Sequence, residues 1–246
     1  MPPTFRALPI SIMEEQERAR RFLPLALLGN ALMRIAGGAS SVLAGLYLAR
    51  LANRGDAADA SLAGTLGAVS FAGELVFSLP AGFLSDKVRP RLVISAGAVL
   101  GAIAVQLFGL TRSAAIFFVS RGIEGLAAAC GAPPLLAHIT AVTEHDPPLR
   151  VKAMSYFELS LLAGLALGGL LGARLWSAFD TGAFASVAAV YLACAVILYI
   201  AVASNAARTG ARAERSSWRA LADPTVRRLA PVWLCVNSIV GLWLGP

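Results

Sequence analysis

Long apolar stretches separated by short clusters of charge set the rhythm of this chain. Predominantly apolar runs fall at 22–49, 62–84, 92–110, 114–141, 152–176 and 183–203, and another begins near residue 231. Each of the first six runs to about 20 residues or more, and at 1.5 Å per residue a helix of that length crosses a hydrocarbon core of roughly 30 Å. The runs are continuous and rich in Leu, Ala and Gly, not alternating over ten residues, so the pattern predicts spanning helices and no barrel strands. The piece from 231 to Pro246 rises only about 24 Å and is expected to be a partial seventh helix. A signal peptide does not fit the first run, which is too long for an apolar signal core and is followed by further spans.

The pattern divides the chain into four parts: a cytoplasmic lead at 1–21, a six-helix transmembrane bundle at 22–203, a cytoplasmic basic linker at 204–230, and a truncated seventh helix at 231–246. The predicted fold is an all-α membrane protein, a six-transmembrane-helix bundle with a partial seventh helix. Pro2, Pro3 and Pro9 argue against order in the lead as far as the charged run Glu14 to Arg21. The stretch from Asn205 to Arg228 reads either as an amphipathic linker between two bundles or as a plain solvated connector. It ends at Asp223-Pro224, a helix-start signal.

Composition fits this picture. Of 246 residues 57% are hydrophobic and 14% charged, where a soluble domain carries about 25% charge to keep its surface wet. Mean hydropathy is +0.70. The net charge of +7 would raise nucleic acid as a partner of a soluble protein. Here it is better read as loop charge that sets topology, and no nucleic-acid partner is expected. Fifteen Lys and Arg lie on one side of the predicted membrane, in the lead, in the turn holding Lys87, Arg89 and Arg91, at Arg150 and Lys152, and in the linker. Only Arg50, Arg54, Arg112 and Arg174 lie on the other. The richer side is expected to be cytoplasmic, with the N-terminus inside, in a bacterial plasma membrane.

Candidate chemistry is sparse. His138 and His145 have no partner at metal spacing, and Cys130, Cys194 and Cys235 lie in apolar runs as small packing residues. No nucleophile elbow or phosphate-binding loop occurs, so no enzyme activity, metal or cofactor is expected. Gly164, Gly168, Gly169 and Gly172 sit in an apolar run and read as helix-packing residues. A kink is expected at Pro133-Pro134, just ahead of His138.

Five ionisable groups lie within spans: Arg34, Glu74, Arg121, Glu124 and Glu158. Such groups are costly in a bilayer and usually face a bundle interior or a wet cavity. Arg34 lies roughly 18 Å from the cytoplasmic end of its run, and Glu124 roughly 15 Å from the outer end of an antiparallel one, so both fall near the midplane. Arg121 and Glu124, three apart, share a helix face. Arg34, Arg121 and Glu124 are therefore expected to line a central cavity, with Glu124 as a proton-coupling carboxylate. The competing reading is that they form ion pairs that merely neutralise buried charge; Glu74 and Glu158 lean toward that structural role.

The turn Gly82-Phe83-Leu84-Ser85-Asp86-Lys87-Val88-Arg89-Pro90-Arg91 resembles the signature G-x-x-x-D-[RK]-x-G-[RK]-[RK] between helices 2 and 3 of the major facilitator superfamily. Gly82, Asp86, Lys87 and Arg91 match, while Arg89 replaces a glycine and Pro90 a basic residue. The stretch Arg121 to Ala129 is similar to the R-x-x-x-G-x-x-x-A pattern of that family's fourth helix, with Arg121 and Gly125 at matching places. Gly164 to Ala173 resembles its antiporter motif G-x-x-x-G-P-x-x-G-G, with Gly169 in place of proline and Ala173 in place of the last glycine.

The resemblance implies a major-facilitator-like half, the N-terminal six helices plus the start of helix 7 of a twelve-helix carrier. It implies that Asp86 helps to hold one conformational state. It also implies secondary active transport of a small-molecule substrate by alternating access, by symport or antiport with protons, with efflux ahead of uptake. Lipid, and a second half or a second copy of the chain, are the expected partners. The chain is read as a fragment of a longer frame, with a dimerising half-transporter or an inactive relic as rivals. A non-transporting scaffold or regulatory half is the alternative from another class.

Overall fold

A computed structural model of the chain describes residues 10–55, 60–202 and 231. The expected basic linker and almost all of the expected seventh helix lie outside the described residues. Within them the chain is helical throughout: α1 (Ile10–Ala52), α2 (Ala60–Lys87), α3 (Pro90–Leu110), α4 (Ala114–Ala129), α5 (Ala132–Val142), α6 (Pro147–Phe179) and α7 (Gly182–Ala201). Taking α4 and α5 as one crossing gives six segments long and apolar enough to span a membrane. The protein is an integral membrane protein with the expected all-α bundle.

Two boundaries differ from the hydrophobic pattern for local reasons. Helix α1 begins at Ile10, twelve residues ahead of the apolar run, so the charged stretch Glu14 to Arg21 is helical. At 43 residues the helix is about 65 Å long, twice the thickness of a hydrocarbon core. The fourth crossing breaks at Cys130-Gly131, just ahead of Pro133 and Pro134, which occupy the first turn of α5. Proline has no N–H to lose in a first turn, so the helix restarts there at little cost.

Helix α1 packs most extensively on α6, α3 on α7, and α2 on α4, with α7 also against α1 and α4 also against α3. Without a hydrophobic effect between helices in lipid, close backbone approach and interhelical hydrogen bonds must hold them together. Both are present. A methyl group at Gly164 would lie 2.7 Å from the Arg34 carbonyl oxygen, one at Gly168 2.6 Å from that of Ile35, and one at Gly172 2.8 Å from that of Ala39. Only glycine permits this crossing of α1 and α6. Gly169 is different: a methyl there would make ordinary contact with Val42 at 3.7 Å. Helices α2 and α4 cross in the same way, with Gly73 against Gly125.

Side-chain hydrogen bonds reinforce the pairs. Asn30 Nδ2 of α1 donates to Ser160 Oγ of α6 at 2.6 Å. Ser120 Oγ of α4 donates to the Ala104 carbonyl of α3 at 2.7 Å, and Ser95 Oγ of α3 to the Ala195 carbonyl of α7 at 3.0 Å. Helices α1 and α6 are also joined near both ends, by Arg20 with Asp146 and by Arg50 with Asp180.

Candidate functional site

One crossing after another leaves a gap between the α1–α6 pair and the α2–α4 pair, with α7 at its back. The gap is a cavity of about 430 Å³. Its α1 wall is a stripe at helical spacing, Arg34, Gly38, Ser41, Gly45 and Leu48, and its α2 wall a second one, Ala63, Gly67, Ser70 and Glu74. Small residues make the space; a methyl at Gly45 would meet nothing within 4 Å. Arg121 and Glu124 enter from α4, Leu161 and Gly164 from α6, and Tyr191 from α7.

The structure therefore brings Arg34, Arg121 and Glu124 to one cavity and adds Glu74, which the sequence pattern leaned toward a structural role. The four charges form two ion pairs of different character. Arg121 and Glu124 are in direct contact, their side chains only 8% and 11% exposed. The guanidinium carbon of Arg121 also stands 5.4 Å from the centre of the Phe108 ring, a cation–π contact. Arg34 Nη1 and Glu74 Oε1 stand 3.9 Å apart, with 20% and 32% of their side chains exposed. The first pair lies within one helix, whereas the second reaches between two helices that pack sparsely on each other. Two positive and two negative charges leave the cavity neutral.

Tyr191 was not singled out by the sequence. Its ring is buried and slotted between glycines: a methyl at Gly101 would lie 2.7 Å from its Cε1, and one at Gly37 would lie 3.3 Å from its hydroxyl. A lone tyrosine in an apolar span carries no periodic signal, but glycines on two facing helices are the space it needs. Glu158 is exposed on α6, outside the cavity, with no salt bridge among the described residues. His138 is buried in α5, and neither ring nitrogen has a hydrogen-bond partner among the described residues.

The turn between α2 and α3 lies at one end of the bundle. Gly82 faces Pro133 of α5 at the distance of an ordinary contact, Asp86 and Lys87 close the last turn of α2, and Lys87 is exposed. The side chain of Asp86 lies outside the described part of the structure. The Arg91 guanidinium at the start of α3 lies over the Tyr199 ring of α7, 4.8 Å from its centre. Among the described residues no group of three or more His, Cys, Asp or Glu could hold a metal ion.

Comparison with known proteins agrees with this architecture. Multidrug resistance protein 1 of Bacillus subtilis is 28% identical over 123 residues, a stretch that covers 48% of this chain and 31% of that relative's length. The family model of the Major Facilitator Superfamily matches residues 23–245. With six membrane-capable crossings among the described residues and a family match along most of its length, this chain belongs to the Major Facilitator Superfamily.

Proposed function

We propose that this chain forms the substrate-binding wall of a secondary active transporter that moves a small molecule by alternating access, coupled to protons. The observation that carries the reading is the cavity in which Arg34, Glu74, Arg121 and Glu124 meet between two glycine-crossed helix pairs. Charged groups inside a membrane protein are retained where they serve a pathway, and carriers of this kind bind substrate near the midplane between two halves that rock. A second six-helix half, from further chain or a second copy, covers the cavity's open side, flanked by the exposed apolar residues of α2 and α6. Export is the favoured direction, supported by the relative whose name is a multidrug resistance protein. Glu124 is the proton-coupling carboxylate: protonation would release Arg121 and so alter the cavity wall.

The Gly82, Asp86, Lys87 and Arg91 turn biases the equilibrium between inward- and outward-facing states, with the Arg91–Tyr199 contact tying α3 to α7. The basic end of the bundle, with that turn and the Arg20–Asp146 pair, faces the cytoplasm in a bacterial plasma membrane. The test is flux. In proteoliposomes with an imposed pH gradient, the chain is expected to drive accumulation of at least one member of a panel of fluorescent small molecules. Glu124→Gln is expected to keep downhill exchange and lose the response to the gradient. An unchanged gradient response in that variant would sink the coupling role, and no flux of any compound would sink transport by this chain paired with a second copy of itself.

A further inference from the structure

The cavity holds two ion pairs, and they are not equivalent. Arg121 and Glu124 sit three residues apart on one helix, in contact and nearly covered, with Phe108 against the guanidinium. Removing either partner strands a buried charge, so this pair resists exchange with a ligand. Arg34 and Glu74 belong to different helices, stand 3.9 Å apart and keep more of their side chains open to the cavity. The backbones that carry them are anchored elsewhere: Arg34 lies where α1 crosses Gly164 of α6, and Glu74 lies where α2 crosses Gly125 of α4. A ligand can therefore separate these two side chains without disturbing either crossing.

Charge balance then selects the ligand. The four cavity groups sum to zero, and in a poorly solvated site each unpaired charge is costly. A cation seated on Glu74 strands Arg34, and an anion seated on Arg34 strands Glu74. A dipolar molecule that places its cationic group on Glu74 and its anionic group on Arg34 replaces one pair by two and leaves the sum at zero. Its uncharged part would meet Phe71, Leu48, Leu66 and Val42, with the Tyr191 hydroxyl to hydrogen-bond it. We propose that Arg34 and Glu74 form a clamp that a small zwitterion with an apolar body opens and occupies. This rests on the reading of the cavity as the transport site.

Three probes share one phenylethyl body and differ in charge: phenylalanine is a zwitterion, 2-phenylethylamine a cation and 3-phenylpropionate an anion. Equilibrium binding to the full chain in lipid nanodiscs is expected to favour phenylalanine by tenfold or more over both others. Glu74→Gln is expected to erase the preference over 3-phenylpropionate, and Arg34→Gln that over 2-phenylethylamine. A purely structural pair would not shift selectivity in opposite directions. Should either single variant fail to fold, the neutral pair Arg34→Gln with Glu74→Gln keeps the test open: it is expected to bind all three probes within about threefold. Equal binding of the three probes by the unaltered chain, or an unaltered phenylalanine preference in the variants, overturns the clamp. Selective binding without flux in proteoliposomes would overturn transport by this chain paired with a second copy while leaving the clamp in place.

Discussion

Gly38 of α1 and Gly164 of α6 pass so closely that a methyl group on Gly38 would run into the Gly164 carbonyl oxygen. The contact places the α1 backbone, and with it Arg34, against α6 on one side of the cavity.

Enlarging this crossing is expected to force the helices apart. Gly164→Val should destabilise the bundle by about 1–3 kcal/mol, the usual range for overpacking. Gly169→Ala, where the added methyl has room, should stay within about 0.5 kcal/mol. Thermal unfolding of the two variants in detergent micelles checks the contrast; equal losses would show that the crossing is not the constraint.

Breaking the covered pair on α4 is expected to be severe. Arg121→Ala leaves Glu124 charged and almost fully buried, which typically costs about 3–5 kcal/mol. Replacing both, as Arg121→Met with Glu124→Leu, removes the stranded charge and should recover most of the stability, although not transport. A double variant as unstable as the single one would locate the defect in packing.

The two ends of the α1–α6 pair should respond unequally. Asp146 receives Arg20 and also accepts the Leu149 N–H at 3.0 Å as the N-cap of α6. Asp146→Ala is expected to cost about 0.5–2 kcal/mol through the lost cap. Arg20→Ala removes only an exposed ion pair and should cost at most about 1 kcal/mol, less at high salt. Comparing unfolding at low and high ionic strength separates the two terms.

Orientation can be read by labelling. In a background where Cys130, Cys194 and Cys235 are replaced by serine, an impermeant maleimide applied to intact cells should label Arg112→Cys at once and Lys87→Cys only after permeabilisation. The reverse order would invert the proposed topology.

Much of this was legible along the chain, because a bilayer makes span length and charge placement strict. Helical rise gave the depth of Arg34, Arg121 and Glu124, and the three line one cavity. The prolines that restart α5 gave away the break in the fourth crossing. Glu74 was harder: depth does not tell which side of a helix faces the gap, and only the crossing at Gly73 and Gly125 turns Glu74 toward Arg34. Tyr191 was invisible because its place depends on Gly37 and Gly101, two residues on other helices. The helical start at Ile10 escaped the hydrophobic pattern because the charged stretch Glu14 to Arg21 separates it from the apolar run, and apolar periodicity carries no information across such a stretch.

The balanced charges of the cavity have an electrical consequence. A carrier that swings its site from one face of the membrane to the other moves whatever net charge the site holds through the membrane field, at about 2.3 kcal/mol per elementary charge per 100 mV. With two guanidinium and two carboxylate groups the site has no net charge of its own, so under the proposed cycle only the limb that carries the proton on Glu124 moves charge. A zwitterion adds none, which would leave the substrate-loaded limb silent. Any current that accompanies turnover would then report the coupling proton alone.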